Sequence, residues 1–391
     1  MRSRTGGGGV SSDDVPIGRR VASWRVRRQM TQQVLADRLR RSKSWVDKIE
    51  RGVRPLDRYS VIQEVAHVLR VEPEALLGQP RGTPAGTPDG VDDIRAALAR
   101  YDTPEATQQT PEEARGQVGH AWLTYQHAHY GELLRVLPGL LDAAQGARSA
   151  ELLVSAYRIT SSLLVKLGEA DLAWLAADRA MGAAGDDPVL AATAAVSVGQ
   201  ALRASGRDRL ALAATLAAAN HVRPQRSAGE WAVGGTLLLQ AALAAAGCGE
   251  HRHAAALTDR AAGVAANLRG YDDQHRTSFG PVTVELVRVL LAAARDNSVE
   301  ALRRHSMVVR REGWRWLPVE YRGAYLLDAA RVYVHAGDLR GAARALVDAD
   351  RVAPAEVRGR PLARTLIADC ARARPAPAGV ARLATLVGLT C

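Results

Sequence analysis

A chain of 391 residues is too long for one small domain and long enough to bury a sizeable core. Its formal charge of +11, its three widely spaced cysteines and the lack of any 18-residue apolar run exclude several classes. A disulfide framework, a cysteine metal site and a membrane-spanning helix are not expected, and with no apolar secretory segment near the N-terminus the reading is a soluble, cytoplasmic protein. The charge is unevenly placed. Residues 16–78 hold fourteen Lys or Arg against seven Asp or Glu, a balance of +7; residues 1–15 and 79–91 balance to zero, which leaves +4 for the remainder. A positive excess concentrated in one short stretch suits a polyanionic partner.

In chain order, residues 1–15 are rich in Gly, Ser and charge and read as a disordered tail. Five helices are expected over 16–78. Ile17, Val21 and Trp24 line one face of the first. Thr31 is an N-cap candidate for the second, whose apolar face is Leu35, Ala36 and Leu39. Ser42 is the N-cap candidate of the third. Steps of about 100° per residue put Trp45, Val46 and Ile49 on one side of that helix and Lys43, Ser44, Asp47, Lys48 and Arg51 on the other. Val61, Val65, Val68 and Leu69 mark a fourth helix, and a short fifth is expected at 73–77.

The stretch from Thr31-Gln32 through Leu35-Ala36 and Leu39 to Ser42 and Ile49-Glu50-Arg51-Gly52 resembles the lambda-repressor-like, or XRE, helix-turn-helix family. The resemblance implies that the third helix is a recognition helix for the DNA major groove. It implies that Lys43, Ser44 and Lys48 face base edges and that Gln32 and Arg51 meet phosphate, with Asp47 on the same front. Arg40 departs from the pattern: the family usually has Gly there, in a left-handed turn. Two amphipathic helices with a charged face, unrelated to DNA, are the plainer reading of the same residues.

Residues 79–91, QPRGTPAGTPDGV, read as a flexible linker. From 92 to 391 the chain is expected to be helical and repetitive. Its clearest unit, 324–354, places Ala330 and Tyr333 before a turn at Gly337, and Ala342, Leu346 and Ala349 before Pro354. Weaker units centre on Gly168 with Ala173 and Ala180, Gly206 with Ala211 and Ala218, Gly249 with Ala254 and Ala261, and Asp296 with Ala301. Residues 118–144, with Trp122 and Gly131, read as a first unit. Small residues where paired helices meet resemble the tetratricopeptide repeat, although successive turns lie 38, 43, 47 and 41 residues apart, longer than that family's unit. Any antiparallel α-hairpin array would give a similar pattern. The fold class is therefore all-α: a five-helix helix-turn-helix domain followed by an α-solenoid of tetratricopeptide-like hairpins with a concave surface.

Catalytic motifs are missing from the sequence, and no cofactor or metal is expected. His127 with His129 and His251 with His253 sit at i, i+2 in helical context, pointing about 200° apart, so neither pair can readily share a metal. Phe279-Gly280-Pro281 breaks the helical pattern and reads either as an inter-repeat loop with a buried Phe or as the edge of a ligand pocket. Trp314, Trp316, Tyr321 and Tyr325 near Arg315 and Arg322 read as core packing or as a ligand surface. The first helices of the hairpins carry Tyr157, Arg158, Gln200, Arg203, Gln240, Arg288, Tyr325 and Asp328. These are candidates to line a groove for a small-molecule or peptide effector; solvating the groove or contacting a second subunit are the alternatives. The functional expectation is a homodimeric transcription regulator whose partner is double-stranded DNA. A protein-interaction adaptor that keeps the helix-turn-helix fold without operator binding is its rival.

Overall fold

The computed structural model describes residues 17–54, 56, 59–71, 76, 90–100, 110–222, 227–268, 273, 275–373 and 375–389. They form helices and connecting turns, with no strand among them. The chain divides into two compact units, 1–88 and 89–391. The expected tail at 1–15, the body of the expected linker (79–89) and most of the expected fifth helix at 73–77 lie outside the described residues. Leu76, from that fifth helix, is buried.

The first unit contains α1 (Ile17–Arg27), α2 (Gln32–Arg38), α3 (Lys43–Glu50) and α4 (Tyr59–Leu69). Both expected caps form. Thr31 Oγ1 accepts the Val34 N–H at 3.2 Å, and Ser42 Oγ accepts that of Trp45 at 3.1 Å, satisfying donors the helix starts leave open. Arg40, between α2 and α3, sits at φ +52° in the left-handed conformation that Gly would occupy without strain. Val21, Leu35, Ala36, Leu39, Val46, Ile49, Val65 and Leu69 make one core, with Ile17, Trp24 and Trp45 half-buried against it. Gly18 is where α1 and α3 come closest: a Cβ there would stand 2.0 Å from the Ile49 carbonyl oxygen. A side chain on α1 at this point would force the two helices apart.

The first described helix of the second unit is α5 (Val91–Ala99), after a left-handed Gly90. Antiparallel hairpins then follow one another: α6 (Pro111–Gln126) with α7 (Tyr130–Gly146), α8 (Ala150–Leu167) with α9 (Ala170–Ala184), α10 (Pro188–Ala204) with α11 (Asp208–His221), α12 (Ala228–Gly247) with α13 (His251–Ala266), α14 (Pro281–Ala294) with α15 (Ser298–Val308). After the short α16 (Glu312–Trp316) come α17 (Val319–His335) with α18 (Leu339–Val352), the short α19 (Pro354–Arg358), α20 (Pro361–Ala371) and α21 (Val380–Leu386). The turns at Gly168, Gly206, Gly249, Asp296 and Gly337 all take positive φ, at the positions that the repeat spacing marks. In the first hairpin the left-handed turn residue is Ala128, and Gly131 lies inside α7. Ala173, Ala180, Ala211, Ala254, Ala261, Ala301, Ala342 and Ala349 are completely buried where the paired helices meet. A methyl-sized side chain lets the two backbones approach closely, and larger residues at these sites would overpack the contact.

The first helices of successive hairpins also touch one another, in the order α6, α8, α10, α12, α14 and α17, and α17 returns to contact α6. The inner layer of the hairpin stack thus closes on itself. The closure is ionic. Lys166 Nζ, on α8, donates to Glu320 Oε2 of α17 and Glu356 Oε1 of α19, each at 2.6 Å. Glu356 also accepts from the Tyr130 hydroxyl of α7 and from Arg360 at 2.7 Å. Both carboxylates and the ammonium are buried. Burial raises the Glu320 carboxyl pKa against the pull of Lys166. Burial also pushes Glu356 upward, but Lys166 and Arg360 outweigh it and hold this carboxyl below its ordinary value.

Two stability outcomes follow from this packing. Lys166→Met leaves two buried carboxylates without their shared cation and should cost about 3–5 kcal/mol in urea unfolding monitored on the second unit. Adding Glu320→Gln and Glu356→Gln to it should recover most of the loss, and an unchanged midpoint in the single variant would deny the closure its ionic basis. Gly18→Ala should destabilise the first unit by about 1–3 kcal/mol, because the Ile49 carbonyl is rigid backbone that cannot rotate away. A melting transition of that unit at the wild-type temperature would show that α1 and α3 separate freely.

Candidate functional site

Alternation of buried and exposed positions divides α3 into two sides. Val46, Ile49 and Glu50 are buried and Trp45 is half-buried, whereas Lys43, Ser44 and Lys48 are exposed and carry no ion pair among the described residues. Asp47 is half-buried, and its Oδ2 accepts from Arg51 at 3.4 Å across one helical turn. Arg51, the C-cap of α3, is otherwise exposed. Arg41 adds a further cation, with its guanidinium 5.7 Å from the centre of the Trp45 ring. The front of α3 is therefore a polar surface with more positive than negative groups, held in place by an apolar back.

Sequence reasoning missed the group that sets the angle of α3. Glu50 reads as part of the motif ending, yet its buried carboxylate is a three-way junction. It accepts from Arg25 Nε at 2.6 Å and from the other arm of the same guanidinium at 3.0 Å. It also accepts from Gln32 Nε2 at 2.9 Å. Arg25 reaches on to the Met30 carbonyl at 2.8 Å. The hydrogen bond to Glu50 is the largest influence on Arg25 and raises its pKa above the ordinary arginine value. One carboxylate thus joins α1, α2 and α3. Gln32 is half-buried, and this bond fixes its amide at the first turn of α2. Its place four residues after buried Val46, on the apolar side of the helix, was the signal that could have exposed this role.

The residues expected to line a groove in the second unit separate into three groups. Arg158 on α8, Gln200 on α10 and Gln240 on α12 line a central cavity of about 100 Å³. Arg203 and Asp328 stand beside it: Arg203 donates to Gln240 Oε1 at 2.9 Å, with Asp328 near enough to oppose the burial that lowers the Arg203 pKa. Asp328 itself pairs with Arg331 at 3.0 Å. Tyr157, Arg288 and Tyr325 do not reach the cavity. Tyr157 is buried in the core of the first hairpins. Arg288 turns instead to Asp259 and Glu285, at 2.8 and 2.7 Å. Tyr325 faces its own hairpin layer, with its hydroxyl 3.0 Å from His305 Nδ1 and its ring edge-on to Trp314. Of the residues placed on first helices, Arg158, Gln200 and Gln240 line the cavity and the others face neighbouring layers or stand beside it.

Phe279 is both buried and part of the cavity wall, and its ring occupies the space where a Cβ on Gly235 would be. The aromatic group at 314–325 does not stay together: Trp314 packs on Tyr325, whereas Trp316 is 79% exposed. His127 Nδ1 lies 2.8 Å from the Leu123 carbonyl, and His253 pairs with Glu250.

A family model for the helix-turn-helix domain matches residues 16–77, which covers α1 to α4. No curated protein matches the chain. Among solved structures, the chain is similar to Bacillus thuringiensis PlcR in its crystal structure with the peptide PapR7 and DNA. The identity is 12%, the alignment covers 75% of this chain and 99% of that one, and the TM-score is 0.37. The N-terminal unit is a helix-turn-helix domain, and it is followed by a helical-repeat unit.

Proposed function

We propose that the protein is a sequence-specific, XRE-type transcription regulator that binds double-stranded DNA in the cytoplasm through α3 and is not an enzyme. The observation that carries this reading is the division of α3: exposed Lys43, Ser44 and Lys48 on one side, and a back locked to α1 and α2 through Glu50 on the other. A rigid helix with free donors matches what major-groove readout requires, since base edges there offer acceptors at fixed positions. Arg51 and the first turn of α2, with Gln32, supply contacts to phosphate that set the register. The second unit, of tetratricopeptide type, serves dimerisation, effector sensing, or both.

Lys48→Ala should lose about 1–3 kcal/mol of affinity for the preferred operator and relax selectivity at one base position. Arg51→Ala should instead weaken all sequences alike and lower the salt dependence of binding by about one phosphate contact. Electrophoretic mobility shifts over a salt series distinguish the two. Unchanged operator affinity in a Lys43→Ala/Lys48→Ala double variant would remove α3 from the interface and favour an adaptor role.

One short recognition helix reads only a few base pairs, so an operator of useful length needs two copies. Footprinting should show two-fold related half-sites about one helical turn apart, occupied by a dimer. A monomer that protects a single half-site at saturation would contradict this.

A further inference from the structure

The cavity in the second unit is built with unusual completeness. Each of the six inner helices gives it at least one residue: Trp122 from α6, Arg158 from α8, Gln200 from α10, Gln240 from α12, Thr283 from α14 and Glu320 from α17. The remaining wall is the connection between α13 and α14, where residues 276–279 pass over the interior. That strap is strained and firmly held. Arg276 and Ser278 both take left-handed φ, at +54° and +53°. The Asp273 carboxylate accepts from the Thr277 N–H and hydroxyl and from the Ser278 N–H, at 2.8, 3.0 and 2.8 Å. Arg158 reaches across from α8 to the His275 carbonyl at 2.9 Å, while its guanidinium lies 5.3 Å from the Trp122 ring centre. Strained non-glycine backbone persists where the surroundings over-determine it, and such places concentrate at ligand sites.

The charges on the wall select the ligand. Three charged side chains, not all of one sign, line the space: Arg158 and Arg276, and Glu320. A simple anion would satisfy the arginines but offer no donor to Glu320, of whose two oxygens Lys166 takes Oε2. A simple cation would meet Glu320 but face two guanidinium groups. A zwitterion places each of its ends against an opposite charge, and only this pairing offsets the cost of taking both ends out of water. Size narrows the class further. An apolar cavity of roughly 150 Å³ holds the six carbons of a benzene ring, so about 100 Å³ admits about four or five non-hydrogen atoms, which leaves only the smallest members of the class. Val196, Leu239, Val287 and Phe279 complete the lining with an apolar wall.

We propose that this cavity binds a free α-amino acid with a small side chain, its carboxylate held by Arg158 and Arg276 and its ammonium by Glu320. The side chain lies against the apolar wall, and Gln200 and Gln240 supply further donors and acceptors. Arg276 is exposed to solvent and also lines the cavity, so the strap is the wall through which the ligand enters. Glu320 is also one of the two carboxylates that hold Lys166, so an ammonium bound there competes with the ionic closure of the unit. The inference deepens the effector-sensing reading, but it is tested without DNA, so failure of ligand binding and failure of operator binding are separate results.

The test is thermal denaturation and titration calorimetry of the full-length protein with each of the twenty free amino acids. At least one small amino acid should raise the melting temperature saturably with one site per chain. Its N-acetyl and carboxamide derivatives, acetate and methylamine should give no shift. Arg158→Gln and Glu320→Gln should each weaken binding at least about tenfold, as expected for loss of a charge-assisted contact. Because Glu320 also supports the fold, Ser197→Leu provides a variant that fills the cavity without touching a charge; it should abolish binding while keeping the helical circular dichroism. No response to any amino acid, or equal binding of a derivative blocked at either end, would overturn the assignment.

Discussion

The ammonium of Lys166 connects parts of the chain that are 154 and 190 residues away in sequence. Taking one cation and two carboxylates out of water is costly, and only tight mutual geometry with further hydrogen bonds offsets that cost. Here Tyr130 and Arg360 supply those bonds to Glu356. The consequence is architectural. An array of hairpins in which each unit touches only its neighbours is elastic and has two ends. Joining α8 to α17 and α19 turns the inner layer into a closed circuit, and the residues that an open stack would present to solvent become the wall of a small interior space.

The helix-turn-helix unit depends on a smaller version of the same device. Glu50 is the only carboxylate in the core of that unit among the described residues, and three donor atoms from α1 and α2 converge on it. An exposed salt bridge contributes little to stability. This one is mostly enclosed, and its main effect is geometric: it specifies how α3 is presented relative to α2. The Asp47–Arg51 pair shows the contrast. It is long, exposed and local to one helix, so it leaves Arg51 available for other partners.

Sequence reasoning recovered what is local. Caps at Thr31 and Ser42, the left-handed residue at position 40 and the exposed front of α3 follow from neighbours within one or two turns, where propensity and periodicity operate. Repeat turns at Gly168, Gly206, Gly249 and Gly337 were legible for the same reason: a small residue that tolerates positive φ must end each first helix. The first hairpin hid its turn because Ala128 performs it without glycine. What sequence could not show is pairing at long range. Lys166 looks like an ordinary helix residue near a turn, and Glu320 and Glu356 are two among many carboxylates; only the fold brings them together. The groove candidates fail in part on the same ground. A first helix is amphipathic toward three neighbours at once, so a polar residue such as Arg288 can point to the adjacent layer, and Tyr325 can lie in the hairpin core.

Closure of the inner layer also changes what a signal would have to do. In an open superhelix, a bound segment alters curvature by bridging successive repeats. In a closed one, curvature is already fixed by the Lys166 junction, and any effector would have to act by strengthening or relaxing it. An effector can shift such an equilibrium only by its differential affinity for the two arrangements. Glu320 is the point where that difference can arise, because the same carboxylate belongs to the junction and to the cavity wall. The strap at 276–279 is tied to two of the inner helices: Arg158 fixes it from α8, and Phe279 anchors it on α12 at Gly235. Strain at Arg276 and Ser278 then becomes intelligible as the cost of crossing the interior by a short route that helical backbone could not take.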